Sequence, residues 1–446
     1  MRTRFRVTLV HPCIGRRSDD EYIKTWQMEC LPAALIAGLT PPDVDIRFYD
    51  DRLEPIPYDE PTDLVAISVE TYTAKRAYQI ASEYRSRGIP VVMGGFHPSL
   101  VPDEVAQYAE SVVVGEAEAV WPELIDDYRH NTPRKFYRSE ERPSLEKARP
   151  DRSIFRGKRY LPVGLVEVGR GCHFRCEFCA IQTVFGKQQS RRPHDLVLEE
   201  IRALKAAGQH KIFFFVDDNI TSNRSQSKDF LRELAKLNIR WVCQGSIDMA
   251  HDEELLDLMI ASGCEIVLIG FESLNPENLK KMDKSFNNSR GGFPKALSNL
   301  REKKVRLYAT FVFGYDEDTT DSFGESVDFA IHHGFYITAF NHLTPFPGTP
   351  LYTRLQDEGR LLYDNWWLDD RYSYNKIPFQ PKGMSPEELQ AGCVGARASF
   401  YSWSSILKRA FRSSNRASFF MWRNFFLING MHRAEIYQRD GFPLGD

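Results

Sequence analysis

Cysteine is scarce in this sequence, with eight in 446 residues, too few for a disulfide framework. Neither sign of charge is in excess. The 58 Lys and Arg against 61 Asp and Glu leave a net charge of −3, so no global basic field argues for a nucleic-acid partner. No apolar run approaches the ~18 residues that a membrane span needs. There is no repeat of fixed short period and no low-complexity tract. A secretory leader is not expected either, because the basic start at Met1–Arg6 runs through Phe5–Ile14 directly into a strand-like pattern. These absences point to a cytoplasmic, non-fibrous protein that binds no nucleic acid.

What is present is an ordinary globular mixture, 42% hydrophobic and 27% charged. A chain of this length exceeds what one core supports and implies two or three domains. Residues 1–127 alternate short apolar strands with helices. The strands are Arg6–His11, Asp45–Tyr49, Leu64–Val69, Ile89–Met93 and Ser111–Val114; the helices are Leu31–Leu39, Ala74–Arg87 and Pro102–Ala109. The pattern predicts an α/β fold, a Rossmann-like (flavodoxin-like) parallel sheet with helices on both faces. Ligands of such sheets sit at the carboxyl ends of the strands. Here those ends carry Ser68, Glu70 and Thr71, then Gly94 and Gly95, then Gly115 and Glu116. Residues 128–160 are rich in Lys and Arg with little periodicity, and are expected as a linker.

Residues 161–350 begin a second series. Six strands, Val163–Val168, Lys211–Val216, Ile239–Cys243, Glu265–Phe271, Leu307–Phe313 and Tyr336–Phe340, alternate with helices. This predicts a partial (β/α)6 TIM-type barrel, short of the eight repeats that close a full one, with its active residues at the C-terminal strand ends. Residues 351–446 read as a mainly helical region. Phe400, Trp403, Leu407 and Phe411 share one helical face, and Lys408, Arg409, Arg412 and Arg416 cluster opposite. That basic–aromatic segment suits a packing face with a solvated rim, or peripheral contact with a membrane or a lipid substrate.

Three of the eight cysteines fall within eight residues, Cys172, Cys176 and Cys179, in a C-x3-C-x2-C spacing just after the first strand of the second series. Such clustering favours a metal site over a disulfide. Three thiolates are one short of the usual four around a [4Fe–4S] cluster, which would leave one iron open. Zinc is the competing reading, with His173 as a fourth ligand, but its adjacency to Cys172 strains joint tetrahedral ligation. Cys243 and Cys264 sit in or beside strands as core residues, and Cys393 lies in a helical region.

Cys172-x3-Cys176-x-Phe178-Cys179 resembles the signature of the radical S-adenosylmethionine (SAM) enzymes, and the resemblance extends through Glu272 and through Thr344–Leu351 (TPFPGTPL). The Gly94–Ser99 stretch (GGFHPS) and Val113–Glu118 (VVGEAE) resemble the cobalamin-binding subgroup, and Trp366-Trp367 with Met384-Ser385-Pro386 its hopanoid-methylase-like branch. The resemblance implies a [4Fe–4S] cluster on the three cysteines, SAM chelated by the open iron, and a 5′-deoxyadenosyl radical formed by one-electron reduction. It implies SAM contacts from Phe178, Asp217, Gln244, Ser246, Glu272 and Phe313, joined by Asp218 and Asn219. It implies cobalamin contacts from Ser68, Glu70, Thr71, Gly94, Gly95, His97, Gly115 and Glu116.

The D-x-H-x-x-G motif of methylmalonyl-mutase-type cobalamin domains is absent, and Asp50-Asp51-Arg52 stands in its region. Cobalamin bound without a protein histidine on cobalt is therefore expected. Methylthiotransferases use three upstream cysteines for a second cluster; only Cys13 and Cys30 exist here.

The function implied is methylation of an unactivated carbon of a small molecule or lipid through methylcobalamin and the deoxyadenosyl radical. The reductant implied is of flavodoxin or ferredoxin type. The alternatives are a cobalamin-dependent cyclase or ring-rearranging enzyme without methyl transfer, and a sensor without turnover. No residue is assigned to the chemical step itself.

Overall fold

The computed structural model describes residues 4–16, 27–139, 141–208, 210–438 and 440–445; Met1–Thr3 of the basic start lie outside them. Fourteen strands follow in chain order: β1 Arg6–His11, β2 Asp45–Asp50, β3 Leu64–Ser68, β4 Val91–Gly94, β5 Ser111–Val114, β6 Phe136–Arg138, β7 Val163–Val166, β8 Gly169–Arg170, β9 Ser190–Arg191, β10 Ile212–Phe215, β11 Trp241–Gly245, β12 Cys264–Glu272, β13 Arg306–Phe313 and β14 Ile337–His342. The first six form one sheet in the order β2-β1-β3-β4-β5-β6, parallel at every pairing. A second parallel sheet runs β14-β13-β12-β11-β10-β7. The short strands β8 and β9 pair antiparallel. The protein is thus an α/β fold built on two parallel sheets, as the alternating pattern predicts.

Runs such as Val-Thr-Leu-Val in β1 are buried throughout, because helices cover both faces of a parallel sheet. One face of the first sheet packs Val7, Leu9, Trp121 and Phe155 together. The other gathers Val10, Val65, Ile67 and Ile80 with Trp366 and Trp367. The second sheet encloses an aromatic core that includes Phe215, Phe271, Phe311 and Phe340.

Three sequence-based expectations need correction. Residues 128–160 are more than a linker, since β6 extends the first sheet and Phe155 is buried in that sheet's core. A strand of only three residues, Phe-Tyr-Arg with one side chain buried, carries too weak a period to be seen inside a basic stretch. Residues 351–446 do not stand apart either. Trp366 and Trp367 are fully buried, with Trp367 Nε1 donating to Glu104 Oε1 at 3.0 Å and Trp366 Nε1 to the Pro345 carbonyl at 2.9 Å. Truncating a buried ring of this size costs about 3–5 kcal/mol, so this segment fastens the first sheet to the rest of the chain.

The third correction concerns the basic–aromatic helix Trp403–Ala410. Arg409 is not on a solvated rim; it is 0% exposed. Its guanidinium donates to the carbonyls of Phe400 (3.0 Å), Phe335 (3.0 Å) and Tyr336 (3.3 Å) and to Asn429 Oδ1 (3.0 Å), and lies 3.7 Å from the Phe400 ring centroid. Phe400 is buried, whereas Trp403, Leu407 and Phe411 are 55%, 51% and 59% exposed. Arg409 is buried against its hydropathy, beside Ile406 and Ala410, because hydrogen bonding and ring stacking offset the desolvation of one cation. Among the described residues, no helix is long and apolar enough to cross a membrane.

Candidate active site

The three clustered cysteines lie on the loop that follows β8. Its path is set by Gly171, whose φ is +92° and whose missing side chain lets the loop pass the Gln188 carbonyl; an added Cβ would stand 2.3 Å from that oxygen. Two carboxylates from the end of β10 pin the loop from beneath. Asp217 Oδ1 accepts from the Val168 amide and Asp218 Oδ2 from the Gly171 amide, both at 2.7 Å. Gln182 Nε2 donates to the Cys172 carbonyl at 2.6 Å. Glu177, between the second and third cysteines, accepts from Arg354 Nε at 2.7 Å and from the Tyr315 hydroxyl. The amide of Leu351 donates to the Glu177 carbonyl. The Thr344–Leu351 stretch therefore closes directly onto the cysteine loop.

All three thiols are half-buried. Burial pushes Cys176 up to about 12 and raises Cys179 as well, so thiolates here require a compensating cation. Among the described residues, no three His, Cys, Asp or Glu side chains come together as ligands of a single metal ion. His173, the residue a zinc site would need, instead bonds through Nδ1 to Ser222 Oγ at 3.1 Å.

The strand-end residues separate into two groups. Asn219, Gln244 and Ser246 converge beside the cysteines. Asn219 Nδ2 lies 3.9 Å from Cys172 Sγ and 3.1 Å from Ser246 Oγ, and Gln244 Nε2 donates to the Asp217 carbonyl at 3.4 Å. Ser246 Oγ is also bonded to Asp248. Phe178 packs half-buried against the second core.

Glu272 is buried at a register shift in β12, with φ at +62°, a conformation that costs a non-glycine residue about 1–3 kcal/mol. Its Oε1 accepts from Lys284 Nζ at 2.8 Å. Lys284 escapes the sequence reading because it belongs to no strand end and no motif.

Two expected contacts are corrected. Asp217 is buried and committed to the Val168 amide; burial raises its carboxyl to about 7. It supports the loop from within. Phe313 points into the aromatic core, 4.6 Å from Phe323. The backbone groups beside it are taken too, since the Phe313 carbonyl accepts from Leu343 and the Gly314 amide donates to Asp318 Oδ2 at 3.0 Å.

A cavity of about 520 Å³ opens at the carboxyl ends of the first sheet. Ser68, Glu70, Gly94, Gly95, Gly115 and Glu116 line it, as expected from their strand-end positions. Thr71 and His97 do not. Both are buried, and His97 is held by Tyr78 (3.1 Å), Glu104 (3.2 Å) and Thr71 (3.3 Å). The histidine turns away because Gly95, at φ +114°, lets its own segment fold back onto Val69, whose carbonyl accepts from the His97 amide.

The opposite wall comes from Leu165 on β7, Gly169 and Arg170 of β8, and Asp218 beyond the end of β10. Glu116 bridges the two walls, accepting from Arg142 Nε at 2.7 Å and from Arg170 Nη1 at 3.3 Å. Arg170 also pairs with Glu118 at 2.6 Å and Glu167 at 2.7 Å. One cavity therefore touches both the first sheet's glycine turns and the base of the cysteine loop.

The sequence profile of the radical SAM superfamily matches residues 166–330, the span that holds this loop and four strands of the second sheet. A domain of unknown function (DUF4070) matches residues 349–420. Bacteriochlorophyllide d C-12(1)-methyltransferase of Chlorobaculum tepidum is 35% identical over 384 residues, covering 84% of this chain and 83% of its own.

The chain belongs to the radical SAM superfamily, in its methyltransferase branch.

Bacteriochlorophyllide d C-8(2)-methyltransferase of the same organism is 29% identical, covering 84% of this chain and 86% of its own. The solved structure of the radical SAM methyltransferase TsrM from Kitasatospora setae, described with cobalamin and a [4Fe–4S] cluster bound, shares the fold. Its TM-score is 0.66 at 16% identity over 98% of this chain and 99% of its own.

As a radical SAM methyltransferase the chain carries a donor set that fits its cofactors. Three cysteines on one pinned loop suit a cluster that keeps one iron open. Gly115, at φ +85° with nothing within 4 Å of an added Cβ, leaves the first sheet's rim open to a large ligand. Arg142, Arg170 and Lys284, which bond the strand-end carboxylates Glu116 and Glu272, are missed by the strand-end rule. Arg142 lies in the basic stretch expected as linker, so only its carboxylate partner Glu116 identifies it.

Proposed function

We propose that the chain is a cobalamin-dependent radical SAM C-methyltransferase acting on an unactivated carbon of a hydrophobic small molecule. In this reading Cys172, Cys176 and Cys179 hold the cluster. Asn219, Gln244, Ser246 and Glu272 face SAM, and Ser68, Glu70, Gly94, Gly95, Gly115 and Glu116 cradle the corrinoid. The cofactors supply radical generation and the methyl carrier. The protein positions them, excludes water and orients the acceptor.

The observation that carries this reading is the shared cavity described above, which the first sheet's rim and the base of the cysteine loop both border. The order β2-β1-β3-β4-β5 supports reading residues 6–138 as a flavodoxin-like cobalamin unit. The six parallel strands β7 and β10–β14 support a partial barrel over 161–350. The two bacteriochlorophyllide methyltransferases named above favour a ring-type hydrophobic substrate. A flavodoxin- or ferredoxin-type reductant and a cytoplasmic setting complete the proposal, since the thiols must stay reduced.

Stoichiometry tests the reading. Methyl transfer and radical formation each consume one SAM, so S-adenosylhomocysteine and 5′-deoxyadenosine form in equal amounts per methylated product, and label from CD3-SAM enters that product. A cyclase gives deoxyadenosine without S-adenosylhomocysteine or added methyl mass. Unlabelled, oxidised product would remove the methyltransferase proposal.

The C-terminal helices support contact with an anionic membrane surface. Trp403, Leu407 and Phe411 are joined by Phe419 and Leu427, 76% and 61% exposed. Lys408, Arg416 and Arg423 stand exposed among them, and no Asp or Glu occurs from 389 to 434. Apolar rings with cations and no acids match an acidic headgroup layer. The protein is expected to sediment with phosphatidylglycerol vesicles and not with phosphatidylcholine vesicles. The double substitution Trp403→Ser with Phe411→Ser should release it without altering folded-state circular dichroism. Equal recovery of wild type and double variant with the anionic vesicles would remove this contact.

A further inference from the structure

Three distant segments meet at one residue of the cysteine loop. Glu177 stands between Cys176 and Phe178-Cys179, and its backbone and side-chain polar groups all have partners outside the loop. Its amide donates to the Met282 carbonyl at 3.2 Å, and its carbonyl accepts from the Leu351 amide at 3.2 Å. Its carboxylate takes a two-pronged contact from Arg354, Nε to Oε1 at 2.7 Å and Nη2 to Oε2 at 3.2 Å. The Tyr315 hydroxyl donates to Oε2 as well. A planar fork facing a carboxylate fixes direction as well as distance.

Both partners of the carboxylate are themselves held. The helix Pro350–Asp357 starts on a proline in its first turn and is capped by Thr349, whose hydroxyl accepts from the Tyr352 amide at 3.3 Å. Its Leu351 and Leu355 are buried in the second sheet's core, and Arg354, three residues on from Leu351, projects from the flank of that face. Tyr315 is buried in the turn after β13, where the Gly314 and Tyr315 amides donate to Asp318 Oδ2 at 3.0 and 3.1 Å.

The charges around this point balance. Arg354 Nη1 donates to Asp316 Oδ2 at 3.1 Å, and Asp316 also accepts from Arg360 at 3.0 Å and Lys382 at 3.1 Å. Glu358 pairs with Arg354 at 3.4 Å and with Arg360 at 2.8 Å. Arg354, Arg360 and Lys382 thus meet Glu177, Asp316 and Glu358, and Lys281 with Glu317 adds a further pair at 2.5 Å. Glu177 is the member of this set that lies in the cysteine loop. Its side chain is 17% exposed, so a charge left unpaired there is only partly screened.

We propose that Arg354 is a positioning residue of the cysteine loop: through Glu177 it fixes the loop's path and balances its charge, and so sets the potential at which the bound cluster accepts an electron. Cluster potentials follow the net charge and hydrogen bonding around the site. The helix belongs to the segment matched by DUF4070, which thereby gains a task at the cluster. The inference rests on the cluster assignment and is independent of the corrinoid.

Two readouts test it, the first without the cluster. In cluster-free protein, hydrogen–deuterium exchange over residues 171–186 reports the loop's path, and Arg354→Gln is expected to speed it about tenfold. In reconstituted protein, a redox titration followed by electron paramagnetic resonance reports the potential. Arg354→Gln leaves the Glu177 carboxylate unbalanced, and is expected to cut the reduced-to-oxidised ratio about tenfold at a fixed potential, a downward shift of about 59 mV for one electron. Glu177→Gln leaves Arg354 unbalanced and is expected to shift the potential upward. Combining the two substitutions restores the balance without the charged fork, so the potential returns to the wild-type value while exchange stays fast. Arg354→Lys keeps the charge and should keep the iron content and potential. Shifts of one sign in both single variants, or unchanged potentials at full iron content, overturn the proposal. So does wild-type exchange in Arg354→Gln. Loss of iron from Arg354→Lys as well as Arg354→Gln means a requirement of the fold alone and also overturns it. Wild type that takes up no cluster removes the cluster assignment and this inference together.

Discussion

Replacing Cys172, Cys176 and Cys179 together with alanine is expected to abolish iron and sulfide incorporation and all SAM-derived products. Anaerobically reconstituted wild type should carry about four irons at this loop, as three thiolates and one open iron require. The variant should carry none above background, and deoxyadenosine formation should fall by at least about 10³-fold, since the electron that breaks the sulfonium bond comes from the cluster. The fold should survive. The thiols are half-buried, and the loop is held by Asp217, Asp218, Gln182 and Glu177 through contacts that do not use sulfur. Cys243, 1% exposed in the second sheet's core, provides the control, and its alanine variant should keep full iron content at some cost in stability. Iron retained by the triple variant, or zinc alone in anaerobic wild type, would contradict the cluster assignment.

The second large effect is expected from filling the corrinoid cavity. Ser68 ends β3 at the first sheet's crevice and borders open space, so Ser68→Phe places a ring where the ligand belongs without crowding the core. Strand ends tolerate aromatic residues. Cobalamin retention should drop by at least about tenfold, a loss of about 1.4 kcal/mol or more in binding, and S-adenosylhomocysteine should fall with it. Iron content and uncoupled deoxyadenosine should remain, because the cysteine loop and the Asn219–Ser246 contact lie on the other sheet. Parallel loss of both products, with iron intact, would mean that the two cofactors do not occupy separate walls. Unchanged cobalamin retention would move the corrinoid elsewhere.

The alternating apolar strands and their Gly, Ser and Glu punctuation determined two parallel sheets and most of the cavity rim, because a parallel strand buried on both faces must be apolar and a ligand can reach only its end. The spacing of Cys172, Cys176 and Cys179 was likewise local information. One loop carries all three, so no long-range folding is needed to bring them together.

What only the tertiary structure decided depends on how separate segments meet. Strand-end position alone did not distinguish Asp217 from Asp218, adjacent residues of which the first supports the loop from within and the second borders the cavity. It did not separate Phe313, whose ring the aromatic core claims, from Ser246. The GGFHPS resemblance placed His97 among the cobalamin contacts, although Gly95's left-handed backbone folds that histidine inward against Tyr78, Glu104 and Thr71. Arg409 read as surface because hydropathy counts the cation and not the five acceptors waiting for it. In each case the deciding energy is a hydrogen bond or a packing contact between residues far apart in sequence, and such partners leave no periodic trace in the chain.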